Sequence, residues 1–176
     1  MLIQNYQEHW VNDFDKVKKT LEGYIQTDDI QIEHVGSTSV KKLAAKPIID
    51  IDLIYEKPAS FIQIKKDLED IGYFHNGNQG IAGREVFKRE KKKEEHAILD
   101  SIRHHLYVCF IDNEELKRHL AFRDYLRENE KARVAYELLK YDIAQKAAQD
   151  RKEYARLKEF MARDFIESII RESKEV

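Results

Sequence analysis

Two aspartates, Asp50 and Asp52, interrupt an otherwise apolar run from Pro47 to Tyr55. A Gly36-Ser37-Thr38-Ser39 turn lies upstream, with twelve residues between Ser37 and Asp50. Residues two apart on a strand project to the same side. Both carboxylates therefore face one way, while Ile49, Ile51 and Leu53 face the other, into a core. Adjacent carboxylates repel each other unless something positive sits beside them. A divalent cation is a common remedy. Mg²⁺ usually takes one or two protein carboxylates and completes its shell with phosphate oxygens and water, and ions so held activate a nucleophile and stabilise a leaving group. The turn supplies the other half of such a site. Glycine lets the backbone approach a ligand closely, and free N–H groups opening a following helix favour an anion. Lys41, Lys42 and Lys46 add positive charge. Either motif alone has a plainer reading: Asp-x-Asp can be a solvated strand face or half of a salt-bridge set.

Other residues could join this chemistry. Arg84 follows a loop and could clamp a phosphate or carboxylate in bidentate fashion, or pair with a glutamate at a strand edge. Tyr154 and Lys158 are four apart and share a helix face, and Lys140 is a further candidate on the same stretch. Along His104–Ile111, alternation puts His105 and Tyr107 on one face and His104 and Leu106 on the other. His34 reads as a strand histidine bonded into the core, and His75 borders the loop. His9, His96 and His119 read as surface or helix-face residues. Cys109 lies between Val108 and Phe110 and reads as core packing. Arg123 and Asp124 read as a network at a helix seam, and Glu130 with Arg133 as a solvated pair.

The elements that must position these groups follow from periodicity. Trp10, Phe14, Val17, Leu21 and Tyr24 recur at helical spacing within residues 7–25. Ile30–Val35 reads as a strand ending at Gly36, followed by a short helix from Ser37 through about Ala45 with serine or threonine caps. Pro47 opens the strand Ile48–Tyr55, and Pro58 opens a helix through Ile71. A strand starts at Gly72. Residues 76–83, with three glycines and two asparagines, form a mobile loop. Arg84–Arg89 and His104–Ile111 are strands, and Lys91–Glu95 is a solvated tip. From Asn113 onward there is no glycine or proline. That stretch reads as three helices: one around Leu116–Leu126, one from about Glu130 to Ala148, and one from Tyr154 to about residue 172. Strands followed by helices indicate α+β rather than a doubly wound parallel sheet.

Composition bounds the partners. The 176 residues are 42% hydrophobic and 36% charged, with a net charge of −2. No excess of positive charge predicts tight binding to nucleic acid or acidic lipid. A single cysteine permits no intrachain disulfide, which suits a reducing compartment. No apolar run approaches the roughly 18 to 20 residues needed to span a bilayer, and the first residues lack a basic-then-apolar leader pattern. The expected location is cytoplasmic.

The Gly-Ser turn followed by Asp-x-Asp on a strand resembles the DNA polymerase beta-like nucleotidyltransferase superfamily. More narrowly, HVGSTSVKKLAAKPIID, GYFHNG, HHLYVCF, LAFRDYLRENEKARVAYELLKYDIA and YARLKEFMARDFI, in this order over most of the chain, resemble the GrpB family. The resemblance implies a nucleotidyltransferase-like mixed sheet with flanking helices, followed by a C-terminal helical part. It implies a single GrpB-like domain over 1–176, with the core and N-terminal helix in about 1–112 and the helical extension in about 113–176. It assigns Gly36 and Ser37 to phosphate binding, with Thr38 beside them a further candidate, and Asp50 and Asp52 to a metal, Mg²⁺ or Mn²⁺. The superfamily usually adds a third carboxylate on a later strand. Here the strand in that order is HHLYVCFI, which has none, and GrpB relatives tend to read His-His-Leu-His where this chain has Tyr107. His105 could take that place as a base or ligand. Lys158 would reach a triphosphate from the helical part, as a lysine often does in the superfamily, with Tyr154 against a base.

The expected function is binding of a nucleoside triphosphate with a divalent metal and transfer of a nucleotidyl group to a hydroxyl acceptor. The alternatives are a non-catalytic module for a nucleotide or a CoA-like phosphometabolite, suggested by a related domain fused to some bacterial dephospho-CoA kinases, and a helical partner-recruiting scaffold. The expected ligand is a nucleotide or phosphorylated small molecule, with no nucleic acid and no membrane.

Overall fold

A computed structural model of the chain describes residues 1–90 and 95–173. Five strands, β1 (Ile30–Val35), β2 (Ile49–Tyr55), β3 (Tyr73–His75), β4 (Arg84–Arg89) and β5 (His104–Phe110), form one mixed sheet in the order β1-β2-β5-β4-β3. Only the β2–β5 pair is parallel; the other three pairs are antiparallel. Seven α-helices lie among the described residues: α1 (His9–Tyr24), α2 (Ser60–Asp70), α3 (Ala97–Ser101), α4 (Glu114–Glu128), α5 (Glu130–Lys146), α6 (Arg151–Met161) and α7 (Arg163–Glu172). The expected α+β class with a mixed sheet holds.

The sheet is apolar on one face for the reason its alternation gives. Ile49, Ile51 and Leu53 of β2 and Leu106 and Val108 of β5 pack against Trp10, Phe14, Val17 and Leu21 of α1 and Ile64 and Leu68 of α2. The opposite face is divided. Its Ile54 and Cys109 are covered by Leu116 and Leu120 of α4. Beyond them the same face carries Asp50, Asp52, His105 and Tyr107, which the parallel register sets side by side as Asp50 with His105 and Asp52 with Tyr107. A third cluster joins Val40, Leu43 and Ala44 to Tyr136, Ile143, Tyr154 and Ile169 of the C-terminal helices.

Several boundaries differ from the sequence reading. The helix expected from Ser37 through Ala45 is one 3₁₀ turn, Ser37–Ser39, and Gly36 stands at its cap position without a side-chain bond. Val40 is already extended and Lys42 has φ +66°. Ser39 Oγ donates to the Gly36 carbonyl at 2.6 Å, a local bond that competes with helix continuation. The loop over 76–83, expected to be mobile, is internally bonded: the Ile81 N–H donates to the Asn78 carbonyl, and Asn113 Nδ2 donates to the Ala82 carbonyl at 3.0 Å. The third C-terminal helix is two, α6 and α7. Ala162 at the break is fully buried, so packing rather than a local breaker turns the chain. Helix α3 went unseen because five residues carry no periodicity. Its N-cap is His96, whose Nδ1 accepts from the Ile98 and Leu99 N–H groups, a structural role in place of the expected surface one. Of the Lys91–Glu95 tip, residues 91–94 lie outside the described residues.

Two features fix the turn below the strand. Gly36 has φ +69° and ψ −173°, a region essentially closed to residues with a Cβ. A Cβ there would stand 2.3 Å from Asp50 Oδ2. His34 is buried as expected, stacked on Phe14 at 4.7 Å between ring centroids, with Nε2 3.0 Å from Thr38 Oγ1. Burial lowers its imidazole to about 4, opposed by Asp50.

We expect Gly36→Ala to destabilise the fold by about 1–3 kcal/mol, read as a lower chemical-denaturation midpoint. His34 is neutral in the fold down to about pH 4, while in the unfolded chain it protonates near pH 6.5. The unfolded state then binds more protons between those values, so stability falls as pH drops through that window. Thermal melts of wild type and His34→Gln at pH 7.5 and 5 check this: the His34→Gln variant loses less on acidification.

Candidate functional site

The polar part of the sheet face opens into a cavity of about 720 Å³, walled by the Gly36–Thr38 turn, by Asp50, Arg84, His105 and Tyr107, and by side chains from α4, α5, α6 and α7. Four strands and four helices thus contribute to its wall.

Asp50 and Asp52 differ sharply in environment. The Asp50 side chain is 30% exposed and lines the cavity, with Oδ1 2.8 Å from His105 Nδ1. A carboxylate only accepts, so Nδ1 of a neutral His105 carries the proton and Nε2 keeps a lone pair. Asp52 is 0% exposed. Its Oδ2 lies 2.8 Å from His119 Nδ1 on α4, and its Oδ1 is buried with no hydrogen-bond partner. His119 reaches on to Glu115 Oε1 at 3.4 Å through Nε2. Burial opposes charge on His119, but the bonds from Asp52 and Glu115 outweigh it and raise the imidazole to about 9. The same bond, from His119, lowers Glu115. His119 is therefore a cation at neutral pH, clamped between two carboxylates. Of the surface or helix-face reading of His119, the helix face holds, but that face meets the sheet and not solvent. The signal was present as Glu115 and His119 four apart on one helix face, but nothing local shows that α4 lies over the aspartates.

The positive charge that two adjacent carboxylates require is thus supplied first by His119. Among the described residues, no group of three His, Cys, Asp or Glu side chains is arranged to hold a metal. An ion held by protein groups alone does not fit. An ion shared with substrate phosphates needs only one or two protein carboxylates; of the pair, Asp50 lines the cavity, while the unpartnered Oδ1 of Asp52 lies buried behind it. No carboxylate of β5 faces the cavity. Asp100, before that strand, pairs with Arg89 at 2.9 Å, and Asp112, after it, is exposed. Three glutamates from the helices reach the cavity, Glu115, Glu159 and Glu167, and of these Glu115 is linked to the pair through His119.

The remaining candidates separate into two groups. Gly36, Ser37, Thr38, Lys46, Arg84, Tyr154 and Lys158 all line the cavity with Asp50, His105 and Lys140. Lys41 and Lys42 are exposed and do not. Tyr136, then Tyr154 and Asp50, hold the Lys158 ammonium above its ordinary value against the effect of burial. The expected stacking of a base on Tyr154 meets an obstacle: Tyr154 is buried, and Lys46 Nζ already sits 4.0 Å from its ring centroid. Lys140 is buried with Nζ donating to the Ala44 carbonyl, and burial lowers it well below the usual lysine range, with Lys158 adding to the effect. His75 faces away from the cavity, 2.5 Å from Glu85 and stacked on Phe87. Cys109 is fully buried, and burial pushes its thiol up to about 12.

Comparison with known proteins agrees with this architecture. The family model described as GrpB protein matches residues 1–172. The glutamate-rich protein GrpB of Alkalihalophilus pseudofirmus is 31% identical over 173 residues, covering 98% of this chain and 95% of that protein. The YqkA protein of Bacillus subtilis is 34% identical over 139 residues, and the match covers 79% of this chain and 38% of that longer protein. Among solved structures, the conserved protein GrpB from Enterococcus faecalis superposes with a TM-score of 0.78 at 34% identity, covering 97% of this chain and 96% of that one. The Cid1 poly(U) polymerase, in its Mg 3′-dATP bound form, superposes with a TM-score of 0.54 at 12% identity over 80% of this chain and 43% of its own. That likeness is one of fold, and the fold is nucleotidyltransferase-like. The chain belongs to the GrpB family.

Proposed function

We propose that the protein binds a nucleoside triphosphate together with a divalent metal, Mg²⁺ or Mn²⁺, and transfers the nucleotidyl group to a hydroxyl acceptor. The observation that carries this reading is the contact between Gly36 and Asp50. The turn has no room for a Cβ because the carboxylate occupies that space. A phosphate on the turn N–H groups is thereby brought directly beside the carboxylate that would share its metal. Lys46 and Lys158 face the same cavity and would neutralise the remaining phosphate charge.

Each residue then has a distinct task. The Ser37–Ser39 segment is too short to act through a helix dipole, so it would bind through individual N–H groups and the Ser37 hydroxyl, those of Thr38 and Ser39 being bonded to the Ile48 and Gly36 carbonyls. Asp50 and the free oxygen of Asp52 would hold the metal, which supplies charge neutralisation at the phosphates. His105, with Nδ1 bonded to Asp50, presents Nε2 as a base. It would take the acceptor hydroxyl's proton as the oxygen bonds to the α-phosphorus and the bond to pyrophosphate breaks.

A second reading, a module that binds nucleotide without turnover, draws on the sealed Asp52. That carboxylate is already paired with a charged His119 and has no exposure. Release of pyrophosphate separates the two readings.

Calorimetry and thermal melts with the four common nucleoside triphosphates, with and without Mg²⁺ or Mn²⁺, test the proposal. Wild type is expected to bind one of them only with metal, and to gain about 3 kcal/mol of stability at a hundredfold excess over Kd. Asp50→Asn is expected to weaken that binding at least tenfold without loss of fold. Metal alone is expected to leave the melting temperature unchanged, because the described residues offer no cluster of three ligands. A folded wild type that binds no nucleotide under any of these conditions overturns the proposal.

A further inference from the structure

Arg84 is a largely buried cation of the cavity that keeps unused donors. Its side chain is 13% exposed, its Nε is buried with no hydrogen-bond partner, and its nearest carboxylate, Glu115, lies 4.0 Å from NH1. Glu115 is already shared with His119 and with Arg118 at 3.4 Å each. Arg118 in turn is bonded to Glu167, so it has the partners Arg84 lacks. The Arg84 guanidinium lies over the Tyr107 ring, 4.8 Å from its centroid, a contact that uses none of its N–H donors. A buried donor left unpaired costs stability, and a planar fork with free N–H groups matches a carboxylate or phosphate.

The position is built rather than incidental. Gly83, just before Arg84, has φ +72°, and a Cβ there would stand 2.4 Å from Asn113 Nδ2. Asn113 caps α4 with its Oδ1 and holds the Ala82 carbonyl with its Nδ2. One residue therefore fixes the start of β4 to the helix that carries Glu115 and His119.

The location excludes the phosphate turn. Gly36 follows β1, Asp50 and Asp52 lie on β2, His105 and Tyr107 on β5, and Arg84 on β4, in that order across the sheet. With strands about 4.8 Å apart, Arg84 stands on the far side of the aspartates from the turn. In an in-line displacement the leaving pyrophosphate and the attacking hydroxyl lie on opposite sides of the α-phosphorus. If pyrophosphate leaves toward the turn, the acceptor enters from the β5 and β4 side, past His105.

We propose that the acceptor carries an anionic group beside its hydroxyl and that Arg84 binds this group. The inference rests on the nucleotidyl-transfer reading and names its acceptor class: a small hydroxylated acid or phosphate ester rather than a neutral alcohol or sugar.

The test titrates three related probes, glycerate, glycerol 3-phosphate and glycerol, into protein saturated with metal and a non-hydrolysable α,β-methylene nucleoside triphosphate. At least one anionic probe is expected to bind tenfold or more tightly than glycerol. Arg84→Gln is expected to abolish that preference and Arg84→Lys to restore part of it, with nucleotide affinity changed less than twofold in either. Binding of glycerate alone assigns a carboxylate, and binding of glycerol 3-phosphate alone a phosphate. Absence of any anion preference in wild type overturns the proposal. So does a preference that survives in Arg84→Gln, or a loss of nucleotide affinity in that variant comparable to Asp50→Asn. If wild type binds no nucleotide, the transfer reading fails by itself. The same three probes, titrated into the nucleotide-free protein, then decide the Arg84 anion site by the same comparison.

Discussion

The segment from Gly36 to Ala45 is held by side chains from elsewhere, and the site depends on that. Arg123 of α4 donates to the His34 carbonyl at 3.1 Å, and Arg127 donates to the Ser39 carbonyl at 3.0 and 3.2 Å. Glu137 of α5 accepts from the Ala44 N–H at 2.6 Å, while Lys140 of the same helix donates to the Ala44 carbonyl. Gln4, near the N-terminus, pairs with Ala45 through both backbone groups. A loop without a ladder of its own leaves backbone donors and acceptors that must be satisfied when buried. Here the helical part satisfies them. It is therefore the scaffold of the phosphate turn as well as a wall of the cavity. The burial of Lys140, costly for any ammonium, is understandable only as part of this clamp, since its bond goes to a main-chain carbonyl and not to a carboxylate.

The second organising feature is the assignment of one histidine to each aspartate. Asp50 meets His105 along the sheet, through the β2–β5 register, and Asp52 meets His119 across the layers, through α4. The two pairs differ in consequence. Asp50 faces the cavity and its partner is half exposed, so both can exchange partners with a ligand at little cost. Asp52 is sealed, and its ion pair ties the sheet to α4 in a place where an unpaired charge is strongly destabilising. The pair thus serves packing as much as chemistry. Asp50 is the adaptable member and Asp52 the anchored one, a division that equal spacing on a strand does not reveal.

What the sequence made legible follows from how local each feature is. The strand carrying the aspartates, its apolar back and the pairing of faces on β5 come from period-two alternation, which acts over a few residues. The short turn after Gly36 was misread as a helix because Ser-Thr-Ser is a good cap sequence. The Ser39 bond to Gly36 and the α5 clamp on Ala44 decide otherwise. His119 and Glu115 were invisible for a different reason. Their spacing marks a helix face, but which face meets the sheet is set by Leu116 and Leu120 packing on Ile54 and Cys109. Tyr154 shows the same limit in reverse: its position on the cavity wall was readable, while the Lys46 ammonium over its ring was not.

Fold alone does not choose between transfer and binding. The likeness to a poly(U) polymerase extends to backbone at 12% identity, and the residues that would do chemistry have to be judged on their own geometry. The absence of a β5 carboxylate does not by itself remove base catalysis, because His105 stands beside Asp50 with its second nitrogen open to the cavity side of the sheet. An imidazole there exchanges a charged base for a neutral one. That choice spares Asp50 and Asp52 a third carboxylate at their side, which would raise the repulsion that His119 relieves. On this view the histidine follows from the same constraint that placed His119 beside Asp52. Asp50 and Asp52 are met side by side by His105 and His119, while six lysines and arginines against four carboxylates on the cavity wall favour the entry of phosphates.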